Sequence, residues 1–450
     1  MLNKLLIRIA ILAAILAFAG PLPAQQNSCG LSPQLYKERR ELLMQSLGDS
    51  SALILFSAPV RLREWDTEYE YHQDSNFLYL TGIDKANCAL LLIPPGLEVD
   101  GRRVREIVFL PERNPMAERW LGERISLEAA KGGLGFQEAL LNSSVSEYID
   151  KALQKVKIAY LPNYDPAFVH DPVSNQRFWI ERDALKSLRQ KYPQLKIKKA
   201  ATPITEMRTI KSPEELALMQ QAIDVTCASL REAIAKVQPG MYEYELEALI
   251  EYGFKRHGAE DVSFPSIIGS GPNSIRPHYW ENRRKMLDGE VVVLDVGADF
   301  CNYAADITRT IPINGKFSPA QREIYDIVYR AQEAAIQAVK PGVKSSEIQA
   351  AAKKVIEDAG YGKFLIHGVS HGLGIDTHDP GNYELLRPGM VITIEPGIYI
   401  PENTEGLDRK YWNIGIRIED DVLVTESGCK ILSSGMPRAL AEIENLMAGK

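Results

Sequence analysis

The 450-residue sequence is poor in the two residue types that most often bind soft metals, with five cysteines and seven histidines. Cys29, Cys88, Cys227, Cys301 and Cys429 are widely spaced, odd in number and form no CxxC pair. A dense disulfide framework and a cysteine zinc site are excluded, and a single bridge in an oxidising compartment is the alternative to free thiols. Cys88, in the strand-like stretch 88–93, and Cys227, within a helical pattern, read as small buried apolar side chains. Basic charge is also short, with 52 Lys and Arg against 59 Asp and Glu for a net charge of −7, and no long basic run occurs. The chain therefore lacks the cationic surface that nucleic acid needs as a partner. There is no internal repeat and no HExxH, and Gly269-Ser270-Gly271 falls short of a dinucleotide fingerprint. With 45% apolar and 25% charged residues the chain is neither disordered nor collagen-like, and its length allows two or three domains of roughly 150 residues, two being the expectation.

Long apolar runs are lacking as well. The longest, 9–20, follows Lys4 and Arg8 and precedes Pro21 and the small residues up to Ala24, and it is well short of the roughly 20 residues that span a bilayer. Residues 1–24 read as a signal peptide, so the expectation is export to the periplasm or the exterior after cleavage near Ala24, with no membrane span left. Gln26 stands where a lipoprotein signal has a Leu-like residue, so lipidation of Cys29 is not expected. Loss of Lys4 and Arg8 takes the formal charge from −7 to −9.

Between 51 and 200, short apolar runs at 52–56, 77–80, 89–93, 107–110 and 157–161 alternate with helical stretches at 142–155 and 178–191, the pattern of an α/β domain. At Ser212-Pro213-Glu214-Glu215 a capping residue, a proline at the first helical position and two acids open a long helix. Its apolar residues Leu216, Met219, Ala222, Ile223, Cys227 and Leu230 recur at helical spacing. A second helix is expected over 242–257, and others over 319–339 and 345–359. Strands are expected over 262–268, 291–298, 303–311, 391–400 and 414–424, and this segregation of strands and helices reads as α+β.

The chemistry-bearing residues lie in those strands. If the 291–311 hairpin turns at Phe300 and Cys301, Asp295 and Asp306 face each other about 4.5 to 5.5 Å apart at Cβ. Two buried carboxylates so placed repel and are desolvated, which a cation relieves; the competing reading is a surface turn acid or a pair with Arg309. Three of the seven histidines, His367, His371 and His378, fall within twelve residues among glycines that let a backbone approach a ligand. Glu395 closes one apolar strand, and Glu419 shares a face with Arg417 and Asp421 in another; an Arg417–Glu419 pair is the plain structural alternative. Four carboxylates and one imidazole make an oxygen-rich site that suits two divalent ions of the Mn class better than one structural zinc. Gly368-Val369-Ser370-His371-Gly372 fits GxSxG, but the histidines after Ser370 are local, which argues against a serine nucleophile.

Several motifs together carry a resemblance. Leu294-Asp295-Val296-Gly297 is followed by Asp306-Ile307-Thr308-Arg309-Thr310. Ser370-His371-Gly372-Leu373-Gly374 precedes Thr377-His378-Asp379. Ile394-Glu395-Pro396-Gly397 and Gly415-Ile416-Arg417-Ile418-Glu419-Asp420 complete the series. With Asn76-Phe77-Leu78-Tyr79-Leu80-Thr81-Gly82 near the start, the chain resembles the pita-bread metallopeptidases, and among them the Xaa-Pro aminopeptidases (aminopeptidase P), with prolidase close by. The resemblance runs from about 32 to 438. It implies an aminopeptidase P-type α/β domain over 30–205 and an α+β pita-bread catalytic domain over 208–438. It further implies that Asp295 and Asp306 bind one metal ion, that Asp306, His371 and Glu395 take part around the other, and that Glu419 bridges. By the same matching, His278 would lie near the substrate amino end and leaving group, His367 and His378 would contact the carbonyl or tetrahedral intermediate, Arg417 would orient carboxylates and substrate, and Glu395 would shuttle a proton. The implied reaction is attack of a bridging hydroxide, held by two divalent ions (Mn2+, with Co2+ or Zn2+ as alternatives), on the bond before a proline in second position, in a homo-oligomer (dimer or tetramer). Prolidase activity on Xaa-Pro dipeptides and metal-free peptide binding are the other readings. Two positions depart from the pattern: Gly372 stands where some relatives carry a large aromatic, and Cys301 sits at the hairpin tip.

Overall fold

A computed structural model describes residues 31–449 except 163–166, 172–175 and 181–182, and gives the backbone alone for the rest of 167–184. The expected signal peptide over 1–24 and Cys29 lie outside the described residues. The chain divides into two compact units that meet in sequence between Ala200 and Ala201.

In the first unit the apolar runs build a six-stranded mixed sheet in the order Lys196–Lys199, Ile158–Leu161, Ser51–Phe56, Ala89–Val99, Arg102–Leu110, Glu138–Leu141. Ser51–Phe56 and Arg102–Leu110 each pair antiparallel with Ala89–Val99, while the outer strands pair parallel. Residues 77–80, expected as a strand, instead belong to the helix Ser75–Thr81, which Asp74 caps at Phe77 N and Gly82 closes at φ 65°. A four-residue apolar run fits either element, and here the Asx cap and the left-handed glycine decide it. The expected helix over 178–191 is also corrected: Gln176–Ile180 is a strand paired with Ala167–Asp171, and the helix is Asp183–Lys191. Phe178, Trp179 and Ile180 are side chains that favour strands.

The second unit opens on the helix Pro213–Ile234, whose Ser212–Glu215 capping box is complete, followed by Glu243–Arg256, Pro319–Ala338 and Ser345–Asp358. Its strands are shorter than their apolar patterns. The 262–268 pattern gives Asp261–Val262 and Ile267–Ser270; 303–311 gives Tyr303–Ala304 and Ile307–Pro312; 391–400 gives Val391–Ile394 and Gly397–Ile400; 414–424 gives Ile414–Arg417 and Asp420–Val424. Asp306, Glu395 and Glu419 lie in three of the gaps.

The hairpin register is corrected too. Cys301 and Asn302, at φ 56° and 62°, form the turn, so Phe300 pairs with Tyr303, and Asp295 faces Thr308 instead of Asp306. Two adjacent residues with positive φ are the signature of the type I′ turn that matches strand twist. The shift is two residues, which keeps every side chain on its expected face.

Candidate metal centre

Asp295 lies within the paired strand Val291–Val296, whereas Asp306, Glu395 and Glu419 each owe their place to a local interruption of pairing. Ala305 and Asp306 bend toward Gly297, where a Cβ would lie 1.8 Å from the Ala305 carbonyl oxygen; only glycine admits that approach. The Asp306 N–H, freed from the ladder, donates to Asp421 Oδ2 at 3.2 Å. Glu395 precedes Pro396, which has no N–H to continue a strand, and its own N–H bonds the Val369 carbonyl at 2.9 Å. The Glu419 N–H bonds the Thr308 carbonyl at 3.0 Å. His371 is held alongside Val391–Ile394, accepting at its carbonyl from Thr393 N at 2.9 Å and donating its N–H to Thr393 Oγ1 at 3.2 Å.

These segments converge. One ligand atom each of Asp306, His371 and Glu419 lies within 4.8 Å of the others. His371 Nε2 is 3.4 Å from Asp306 Oδ2 and 3.6 Å from Glu395 Oε1. Its Nδ1 donates to the Gly372 carbonyl at 3.0 Å, which turns Nε2 toward the carboxylates as a metal ligand requires. Asp295 stands at the edge of this trio, bound through Oδ2 to Arg417 Nη2.

The electrostatics call for a cation. Burial, and then the surrounding carboxylates, push Glu419 well above the ordinary carboxylate range. Burial raises Asp306, with Asp295 adding to it, and raises Glu395 to about 8. Burial opposes protonation of His371, but Asp306 and Glu395 outweigh it and hold the imidazole at about 9. Asp295 Oδ1 is buried with no hydrogen-bond partner. An orphaned oxygen beside three strained carboxylates and an aimed imidazole fits a divalent ion, which supplies the charge and the ligand bonds these groups lack.

Around this cluster lie His367, His378 and two residues that sequence reasoning missed. His378 stacks on His371 with ring centroids 4.0 Å apart, and burial, then the charge of His371, lowers its pKa. His367 is lowered to about 4 by burial and by Arg417; its Nδ1 donates to the Gly368 carbonyl at 2.7 Å and lies 3.6 Å from Glu395 Oε2. His367 Nε2 therefore accepts from the Tyr399 hydroxyl, 2.7 Å away, and Arg417 Nη1 donates to that same oxygen at 2.8 Å. Tyr399 was overlooked because it looks like one more apolar residue in a strand. Thr308 is the second: it accepts from Arg417 Nε at 3.1 Å and donates to Glu419 Oε2 at 2.7 Å. Its alternation with Asp306 in Asp306-Ile307-Thr308 was the available signal. His278 is exposed and stacks on Trp280 at 6.0 Å, and it adds electrostatically to the depression of His367 and His378.

The four described cysteines are free thiols. Among the described residues no helix is long and apolar enough to cross a membrane.

Comparison with known proteins agrees with this chemistry. Residues 217–426 match the sequence model of metallopeptidase family M24, and residues 36–160 that of the aminopeptidase P N-terminal domain. The Xaa-Pro aminopeptidase of Escherichia coli is 36% identical over 446 residues, covering 93% of this chain and 98% of that protein. Human Xaa-Pro aminopeptidase 3 is 31% identical over 448 residues, covering 93% and 86%. Among solved structures, Escherichia coli aminopeptidase P with the inhibitor Pro-Leu superposes with a TM-score of 0.83 at 35% identity, covering 93% of this chain and 99% of that one. An aminopeptidase of Pseudomonas aeruginosa gives 0.83 at 32%, covering 93% and 98%. The second unit is thus an α+β pita-bread domain and the first an aminopeptidase P-type α/β domain. The chain belongs to metallopeptidase family M24 and, within it, to the two-domain Xaa-Pro aminopeptidases, which are metal-dependent hydrolases.

Proposed function

We propose that the protein releases the first residue from peptides with proline in second position, using two divalent ions held by Asp295, Asp306, His371, Glu395 and Glu419. The observation that carries this reading is the set of buried carboxylates forced toward protonation around one aimed imidazole. Divalent ions held by these residues would supply polarisation of the scissile carbonyl and activation of water.

The chain's own residues supply the rest. Glu395, lying 3.6 Å from both His367 and His371, is the carboxylate placed to take a proton from water and return it to the leaving nitrogen once metal holds it ionised. Arg417 holds Asp295, Thr308 and Tyr399 at once and so fixes the carboxylates on one side and the His367 ring on the other. His367, neutral at physiological pH, and His378 face the substrate carbonyl, and His278 on its exposed loop meets the peptide's amino end.

The donor set of four carboxylates and one imidazole favours Mn2+; the Escherichia coli relative has been solved in a zinc-substituted form. The helix Pro115–Leu121 buries none of its own residues and leaves Met116, Trp120 and Leu121 exposed, which supports a homo-oligomer. The charge of −7 argues against nucleic acid as a partner, and the signal-peptide pattern read over 1–24 supports export. The test is product analysis on a series of Xaa-Pro-Yaa peptides with Mn2+-loaded and chelator-stripped protein. Release of Xaa by the loaded form alone is expected; no release from any peptide overturns the proposal, and cleavage confined to Xaa-Pro dipeptides assigns prolidase activity instead.

A further inference from the structure

The segment that joins His371 to His378 closes on a buried ionic cluster that takes no part in the centre itself. Asp379 N–H donates to the Gly372 carbonyl at 2.9 Å, and Gly374 N–H to the Asp376 carbonyl at 3.1 Å. Both glycines make room for side chains folded back onto the segment. A Cβ on Gly372 would lie 2.2 Å from the Tyr383 ring, and one on Gly374 would lie 2.8 Å from the Asp379 carboxylate. Tyr383 therefore occupies the space that a large side chain at 372 would need.

Asp379, with 1% of its side chain exposed, is paired with two equally buried cations: Arg208 on Oδ1 and Lys211 on Oδ2, the latter at 3.1 Å. The Tyr383 hydroxyl joins them, 2.9 Å from Lys211 Nζ and 3.0 Å from Asp379 Oδ2, and Arg208 also reaches Asp376 at 2.7 Å. Lys211 is tied by its own N–H to the Gly389 carbonyl at 2.9 Å, just ahead of the strand that carries Thr393 and holds His371. Burying such a cluster gains little stability over an apolar packing of the same shape, so its presence at this place asks for another role.

We propose that Lys211, Asp379 and Tyr383 are positioning residues that set the His371–His378 stack, and so the spacing between the metal-side and substrate-side imidazoles. The inference rests on the aminopeptidase reading of the site. The cluster acts through the segment's backbone: two close-approach glycines and one turn bond transmit its placement to both rings.

The test pairs Lys211→Met with His378→Ala. Turnover of an Xaa-Pro-Yaa tripeptide is measured for metal-saturated wild type, each single variant and the double variant. Histidine-ring NMR signals are recorded on the metal-free wild type and Lys211→Met. The expected result is a fall in kcat of about tenfold or more for Lys211→Met, the size seen when outer-shell support is lost, shrinking to less than twofold when His378 is already alanine, with both ring signals displaced. An equal fold-loss in both backgrounds, an unchanged kcat, or ring signals left in place overturns the proposal. Should Lys211→Met fail to fold, Tyr383→Phe removes a single oxygen from the cluster and is read by the same two measurements. If wild type hydrolyses no peptide, the aminopeptidase reading fails, and the NMR comparison alone decides the positioning role.

Discussion

His371 and His378 lie ring against ring, 4.0 Å apart, yet their environments push them in opposite directions. His371 is held at about 9 by Asp306 and Glu395 against the effect of burial, and His378 is lowered by burial and by His371 itself. In the proposed site the first ring serves the cation and the second the substrate. His371→Ala should abolish stoichiometric metal binding, whereas His378→Ala should keep the metal and lower kcat by about 10²-fold, the lower end for a lost hydrogen-bond donor to a developing oxyanion. Metal analysis alongside steady-state kinetics checks both.

Asp306→Asn keeps shape and removes charge. Because Asp306 is raised by burial and by Asp295, the amide should make the metal-free protein more stable at pH 8 while weakening metal affinity by at least about tenfold. Thermal melts with and without chelator should show the two proteins exchanging rank.

The metal-free protein should lose stability as pH rises from about 6.5 to about 9. Glu395 at about 8 and His371 at about 9 both titrate above their ordinary values. Groups raised in the folded state contribute stability below their unfolded pKa and lose that contribution as pH passes through the folded one. His367, lowered to about 4, acts in the opposite sense but loses its contribution only below its ordinary value, outside this window. The rise in Tm on adding Mn2+ should therefore be larger at pH 9 than at pH 6.5.

Tyr399→Phe removes the hydroxyl that Arg417 and His367 share at 2.8 and 2.7 Å. His367 Nε2 then loses a buried partner, at a cost of about 1–3 kcal/mol, and its ring is held through Nδ1 alone. A kcat loss near tenfold with metal content unchanged is expected.

Gly297→Ala should destabilise the second unit by more than the ~1–3 kcal/mol typical of overpacking. The new methyl meets backbone at 1.8 Å instead of a side chain that can turn away. Loss of metal should accompany it, because the bend that presents Asp306 is the bend the methyl blocks; chemical denaturation with metal analysis tests this.

The elements and the site differ in how far they could be read from sequence. Ser212 through Glu215 announce their helix because capping is local chemistry, and Asp295, Asp306, Glu395 and Glu419 stand out because carboxylates are rare in apolar strands. The strand breaks at 305–306, 395–396 and 418–419 were not legible, since hydropathy runs through them and only the fold decides which N–H groups leave the ladder. The hairpin register missed by two because αL geometry at Cys301 and Asn302 carries little signal without a glycine. Thr308 and Tyr399 were missed since a hydroxyl in a strand resembles filler until its partners, 109 and 18 positions away along the chain, are known. The 77–80 helix was missed because a short apolar run has no period of its own.

The interrupted strands also bear on the order of assembly. The residues around the cation come from positions 295 to 419, spread over several short sheets, so no stretch of newly made chain can capture an ion by itself. The acidic groups meet only where those short sheets come together, so the site is a product of the tertiary fold and not of any local motif.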